Sequence, residues 1–321
     1  METETGTRPG VDPGRAAGSE ERAVQPAPWA GGAANGPSGA VPGASMQEIR
    51  QPTFGQGIVV SVGVALALLV LAISAIRDAE NTGLPLTETT RPLYWGLAIL
   101  TVLSAGIGAQ FAERTAARAA AAVGHPRDTG RMETAWAVPV VATIAAVMMV
   151  ATYHNTTMLV GGPAIAFFGI AGALLSRDLL DDATESTQRT AMAIHTFVID
   201  GIAFLALSAV YLNKMSSWVS APLVGILSGI LILETLERGS IDKTTRGVFA
   251  IAGGFIMAQC TIILNWWPTH GWTGGAVLLV CFYLIAGVLL ERTRRTHMRS
   301  RDVIEFGVVS LTALIVLAFT A

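Results

Sequence analysis

One acidic residue lies in the middle of an apolar run, where a charge is costly. Asp200 lies in the segment Phe197-Val198-Ile199-Asp200-Gly201-Ile202. A carboxylate at the centre of a bilayer costs about 2.5–3.5 kcal/mol on insertion scales, so it must face protein or water. Thr196 lies four residues earlier and shares its helical face. The pair predicts either a proton- or cation-coupling site or a structural hydrogen bond between helices.

A second acid, Glu234, lies near the end of a later apolar run. Arg238 follows it by four residues, a spacing that favours an ion pair on one helix face. We therefore interpret Glu234 as structural first and as a coupling residue second.

Four carboxylates follow another apolar run at helical spacing. They are Asp178, Asp181, Asp182 and Glu185. On a helical extension they would share one face, and clustered carboxylates at a membrane surface could hold Mg²⁺ against a diphosphate. This stripe predicts a lipid-modifying enzyme, or alternatively a solvated acidic face beside the nearby arginines.

Four polar residues lie where later runs end or begin: His154, Asn155, Asn265 and His270. Two histidines at matching depth could bind a metal or a haem. No HxxxH or HExxH spacing supports this reading, so a polar rim is the alternative. We predict no metal and no cofactor.

The sequence lacks a Walker A loop, a GxSxG motif and a GxGxxG motif that opens a helix. An ATP-driven pump or a serine hydrolase within this chain is therefore disfavoured. The net charge of -2 gives no electrostatic case for binding nucleic acid. Whether the protein is an enzyme stays open, and a non-enzymatic role is favoured.

The elements that must position these residues are apolar helices. Of the 321 residues, 52% are hydrophobic and only 14% charged, whereas soluble domains carry about a quarter charged residues. A bilayer core of roughly 30 Å requires about 20 apolar residues per helix. We predict an all-α polytopic membrane protein with nine spans, at about 58–76, 92–112, 135–153, 157–176, 191–212, 217–236, 247–267, 272–290 and 303–321. This nine-span layout is similar to that of membrane prenyltransferases, although the paired Asp-rich motifs of those enzymes are missing.

The basic residues predict an orientation. With the N-terminus inside, 18 of the 21 Lys and Arg residues lie in inner segments and 3 in outer segments. Such a bias indicates a cytoplasmic N-terminus and an extracytoplasmic C-terminus in the plasma membrane. Abundant Arg, Ala and Gly suggest a bacterial source.

Residues 1–54 hold 9 of the 34 glycines and 7 of the 14 prolines, without helical periodicity. This composition predicts a disordered cytoplasmic tail.

Two patterns concern packing. Arginines recur where even-numbered spans end, at positions 114, 177, 238 and 292; this predicts either tandem two-helix repeats or only a shared need for inner cations. Gly225 and Gly229 form a GxxxG motif, which favours close helix contact, including contact with other membrane proteins.

Together these patterns predict a non-enzymatic membrane component or subunit embedded in the lipid bilayer. The alternatives are a small-solute or ion transporter with Asp200 as the coupling acid, and a lipid-modifying enzyme that uses the stripe from Asp178 to Glu185.

Overall fold

A computed structural model of the chain describes residues 51–82, 92–122, 133–153, 155–181, 187–213, 215–237, 241–266, 272–294 and 300–320. Those residues form nine α-helices and no strand, which confirms the predicted all-α fold. The helices are α1 (Gln51–Thr82), α2 (Pro92–Ala122), α3 (Ala137–Tyr153), α4 (Thr156–Asp181), α5 (Gln188–Leu212), α6 (Ser217–Leu236), α7 (Lys243–Asn265), α8 (Trp272–Arg294) and α9 (Ser300–Thr320). Residues 1–50 of the predicted tail lie outside the described residues.

Seven of these helices are long and apolar enough to cross a membrane, which confirms a multi-pass membrane protein. Helix α3 has 17 residues, and the described apolar part of α9 is Gly307–Leu317, so both are shorter. At 1.5 Å per residue α3 is about 25 Å long. That all nine helices cross the bilayer, and in which orientation, stays a prediction.

Helix α3 lies at the centre of the bundle. It is built from Ala, Val, Met and other uncharged residues on every side, and 13 of its 17 residues are buried. A helix that is apolar all round is stable only when other helices surround it. It accordingly contacts α1, α2, α4, α5 and α6 and links the two main apolar cores.

Side-chain contacts group the helix termini at two ends. At one end, Arg177 near the end of α4 bonds to Glu234 near the end of α6. At the other, Tyr153 at the end of α3 stacks on Trp272 at the start of α8, with ring centroids 6.5 Å apart. We call these the inner end and the outer end, following the predicted orientation.

The predicted GxxxG motif packs inside the chain. A Cβ atom added to Gly254 of α7 would lie 2.5 Å from the carbonyl oxygen of Gly225, and one added to Gly229 would lie 3.2 Å from the carbonyl oxygen of Ala250. Glycine at these positions therefore lets α6 and α7 touch through their backbones. Beside this contact an apolar groove of about 540 Å³ opens. Contact of Gly225 and Gly229 with another membrane protein stays a prediction, confined to that groove.

Candidate functional site

The inner end of the bundle holds a buried cluster of charged and polar side chains, which we call the Arg177 cluster. Five helices and the turn before α3 supply its members. They are Glu113, Thr134, Ser176, Arg177, His195, Glu234, Glu237 and Arg246, all of them buried. Buried charges are tolerated only when paired and hydrogen-bonded, so the geometry of the pairing decides what the cluster can do.

Arg177 is the centre of the cluster. Its Nε donates to Glu234 Oε1 at 3.0 Å and its Nη2 to Glu234 Oε2 at 2.5 Å, which makes a bidentate pair. Nη2 also donates to Glu237 Oε2 and to Thr134 Oγ1, both at 2.8 Å. Such charge-assisted, two-point bonds are the strongest that side chains make. They tie α4 to α6 and to the turn before α3.

Thr134 joins the two carboxylates from the other side. Its hydroxyl lies within hydrogen-bonding distance of Glu234 Oε2 at 2.5 Å and also contacts Glu237 Oε2. A threonine hydroxyl has one proton to donate, so it serves one carboxylate at a time. The two acids thus share their donors.

His195 extends the cluster to α5. Its Nδ1 lies 2.6 Å from Ser176 Oγ, and its Nε2 lies 3.5 Å from Glu234 Oε1. Ser176 Oγ also lies 3.0 Å from the carbonyl oxygen of Ala173, and its one proton serves either that oxygen or Nδ1. With the Ser176 proton on Nδ1, a neutral imidazole presents its N–H at Nε2 to Glu234; with that proton on Ala173, Nδ1 donates to Ser176, and only the cationic imidazole also donates to Glu234.

The cluster contains more acids than guanidinium groups. Glu113, Glu234 and Glu237 are three carboxyl groups, whereas Arg177 and Arg246 are two cations. Burial of neighbouring like charges is costly, so a proton on one member would relieve the repulsion between Glu234 and Glu237. His195 and the carboxyl groups are the places where the geometry allows that proton.

Glu237 is the acid most open to protonation. It caps α6 just outside the apolar span, and burial raises its pKa to about 7 against the opposing effect of Arg177. Its Oε1 is buried without a hydrogen bond among the described residues, as is Nε of Arg246. The carboxyl group can therefore bind and release a proton near neutral pH.

The residues around the edge of the cluster are exposed and form a surface ion pair and a helix cap. Lys243 pairs with Glu133 and lowers the pKa of that carboxyl. Asp242 caps α7 by accepting hydrogen bonds from the hydroxyl of Thr245 at 2.7 Å and from its backbone N–H at 3.0 Å, and these bonds, the hydroxyl first, lower the pKa of Asp242. These contacts order the start of α7, which carries Arg246 into the cluster.

Sequence reasoning singled out only Glu234 from this cluster. The predicted partner, Arg238, lies outside the described residues, and the pairing that the structure shows is with Arg177, 57 positions away. The sequence did contain a signal for this pairing. Ser176-Arg177 and Glu237-Arg238 lie at the ends of two spans that are predicted to finish on the same side of the membrane. The pattern could not reveal that Arg177 turns inward while Arg114 stays exposed.

Asp200 lies in a different environment. It is 12 residues from each end of α5, half-buried, and makes no hydrogen bond or ion pair with any described residue. Thr196 and Gly201 beside it are exposed, whereas His195 faces the interior. Its role as a coupling or structural residue remains a prediction.

The acidic stripe is described only in part. Asp178 is half-buried and lines an apolar groove of about 320 Å³ together with Glu113, while Asp181 is exposed. Asp182 and Glu185 lie outside the described residues. Among the residues that the structure describes, no group of three His, Cys, Asp or Glu residues could hold a metal ion. The enzyme hypothesis remains a prediction.

The outer polar residues have local partners where they are described. Asn155 accepts a hydrogen bond from the backbone N–H of Met158 at 3.1 Å. Asn265 donates to Ser217 and Ser220 of α6, at 3.0 and 3.1 Å. His154 and His270 lie outside the described residues.

The fold and the cluster together define a multi-pass helical membrane protein with a charged interior at one end. The chain belongs to the family described as "Protein of unknown function (DUF5656)", whose model matches residues 75–320. That stretch contains every member of the Arg177 cluster. Comparisons with curated proteins and with solved structures found no match.

Proposed function

We propose that this protein is a non-enzymatic membrane component whose helices are held in place by the Arg177 cluster. The observation that carries this proposal is the four hydrogen bonds that Arg177 makes to three side chains of its own chain. The charged groups of the cluster, which could otherwise bind a substrate, are paired with one another between helices. This arrangement favours a scaffold or subunit over an active site.

The matching location is a bacterial plasma membrane, with the inner end in the cytoplasm. The excess of basic residues on that side supports this orientation. Single cysteines at exposed positions test it in intact cells, after Cys260 and Cys281 are replaced by alanine. Arg118→Cys at the inner end of α2 should resist a membrane-impermeant maleimide, and Asn155→Cys at the outer end should react. The reverse labelling would overturn the orientation.

Proton-linked transport is the second candidate, and one observation favours it. The Arg177 cluster brings Glu234 and Glu237 together, and burial raises the pKa of Glu237 to about 7, so the inner end can exchange a proton with the cytoplasm. Asp200, at the middle of α5, is the acid that such a pathway would use next.

Reconstituted liposomes distinguish the two candidates. Protein is inserted into vesicles that contain a pH-sensitive dye, and candidate solutes of different charge are added under a proton gradient. A membrane component should give the same dye response as empty vesicles with every solute. Solute-dependent proton entry that is lost in Asp200→Asn or Glu237→Gln, and kept in Asp181→Asn, would overturn the first proposal and support transport.

A further inference from the structure

The exposed side of α5 has a half-buried carboxyl group, Asp200, at its edge in the middle of the helix. On α2 and α7 the exposed side chains in mid-helix are mostly Leu, Ile, Val and Phe, with the uncharged polar residues Ser104 and Gln259 among them and no acid. On α5 the middle of the exposed side carries Thr196, Asp200 and Gly201. Ionisable groups inside a membrane almost always face protein or water. This side of α5 is therefore poorly suited to lipid.

Asp200 and Thr196 have no hydrogen-bond partner among the described residues. The threonine is unusual in this respect. The hydroxyls of Thr143 on α3 and Thr261 on α7 donate to the carbonyl oxygens four residues before them, at 2.7 and 2.9 Å. Thr196 makes no such bond, so its donor is free to bond outside the chain.

Thr196 of one copy of the chain and Asp200 of a second copy are suited to pair with each other if a two-fold axis relates the two copies. Thr196 offers a donor, and Asp200 offers acceptors one helical turn away on the same face. Two copies inserted in the same orientation would place their α5 helices side by side and parallel.

The backbones of two α5 helices can also come close to each other near Asp200. A Cβ atom added to Gly201 would find nothing within 4 Å in the chain, and Ala193 two turns earlier is exposed as well. Small residues on a lipid-facing surface let two helices come close enough for side chains of this length to meet. Phe197, 79% exposed between them, would pack along the same contact.

We propose that two copies of this chain associate in the membrane through the exposed side of α5, with Thr196 of each copy donating a hydrogen bond to Asp200 of the other. The contact satisfies both polar groups and requires no residue that this chain lacks. A different subunit would have to bring its own donors into the middle of the membrane. The association is independent of whether the protein is a scaffold or a transporter.

Cysteine cross-linking in native membranes tests this contact. In a chain with Cys260→Ala and Cys281→Ala, Gly201→Cys is oxidised with copper phenanthroline before solubilisation. The matched control is Gly63→Cys on α1, which is equally exposed and has open space around it. We expect a disulfide-linked product of twice 33.5 kDa from Gly201→Cys and none from Gly63→Cys.

Two further variants test the polar pair itself. Thr196→Val keeps the shape and removes the donor, and Asp200→Leu removes the acceptors. Because two equivalent hydrogen bonds are lost, each change should lower the dimerisation constant by roughly three- to tenfold, measured by single-molecule photobleaching in lipid vesicles. Thermal unfolding in detergent, where the copies are separate, checks that each variant folds.

Three results would overturn the proposal. They are equal cross-linking at positions 63 and 201, a Gly201→Cys product of another mass, which would indicate a different partner, and dimerisation that is unchanged in folded Thr196→Val and Asp200→Leu proteins. None of these results depends on the liposome assay, so failure of the dimer and failure of the proposed function can be told apart.

Discussion

The inner end of the bundle and the middle of α5 differ in how their acids are paired. Both place acids where water is scarce. Glu234 receives two bonds from Arg177 and lies 2.5 Å from a threonine hydroxyl, whereas Asp200 has no partner among the described residues. The first acid is part of the chain's own fold. The second has no such role among the described residues, and each prediction below tests that distinction.

Removal of the central cation should have the largest effect. Arg177→Met leaves Glu234 and Glu237 buried without their main counter-charge, and loss of one partner of a buried pair typically costs about 3–5 kcal/mol. We expect a large fall in the melting temperature of the detergent-solubilised protein, or no folded protein at all.

Two variants control this result. Arg114→Met removes an exposed arginine from the corresponding end of α2 and should change stability by about 0.5 kcal/mol or less. Arg177→Met combined with Glu234→Gln removes both charges of the main pair and should recover part of the loss. Equal melting temperatures for Arg177→Met and Arg114→Met would contradict the assignment.

A matched pair of threonine substitutions compares the two regions directly. Thr134→Val removes a buried hydroxyl that bonds Arg177 and two carboxylates, with an expected cost of about 1–3 kcal/mol. Thr196→Val removes an exposed hydroxyl without a partner and should leave the separate monomer as stable as before. If the two variants lose similar stability in detergent, the polar groups of the two regions are not as different as the structure indicates.

Acidification should stabilise the protein between about pH 8 and pH 5. The pKa of Glu237 is raised to about 7 in the fold, so the folded state binds a proton before the unfolded chain does, and stability rises as pH falls through this range. Glu133 and Asp242 have lowered pKa values, so they reduce stability only in more acidic solution.

Glu237→Gln is the test of that pH dependence. A neutral amide cannot titrate, so the difference in melting temperature between pH 8 and pH 5.5 should shrink relative to the wild type. Glu133→Gln should leave the difference unchanged because that residue titrates below the range. If the melting temperature of Glu237→Gln still changes with pH as it does in the wild type, another member of the cluster binds the proton.

The smallest effect is expected from Asp200 itself. Asp200→Asn in the separate monomer breaks no bond of the described chain, so its stability should stay within about 0.5 kcal/mol. Thermal unfolding in detergent checks this. A large loss would show that Asp200 has a partner inside the chain and would remove the contrast with Glu234.

Much of this architecture could be predicted from sequence because lipid imposes a simple rule. Apolar runs long enough to cross a bilayer become helices, and the predicted spans coincide with α1 to α9 to within several residues at most ends. The exceptions are instructive: α1 extends from Gln51 to Thr82, α2 continues to Ala122 and α4 to Asp181, because helix formation does not stop where the apolar run does.

The candidate site could be predicted only in fragments. Glu234 was visible as an acid in an apolar run, but the pattern offered Arg238 as its partner because local spacing is all that a single sequence displays. Arg177 and Thr134 come from distant positions. Their meeting depends on how α4, α6 and the turn before α3 pack around the buried helix α3.

The sequence by itself determined the class of the protein and its helices, and it singled out Asp200 as an acid in an apolar run. Those properties follow from local composition and from the cost of polar groups in hydrocarbon. Only the tertiary structure decided which acids are paired within the described chain and which are not. That decision depends on helix rotation and packing, which place Arg177 and His195 inward and Asp200 on the exposed side of α5.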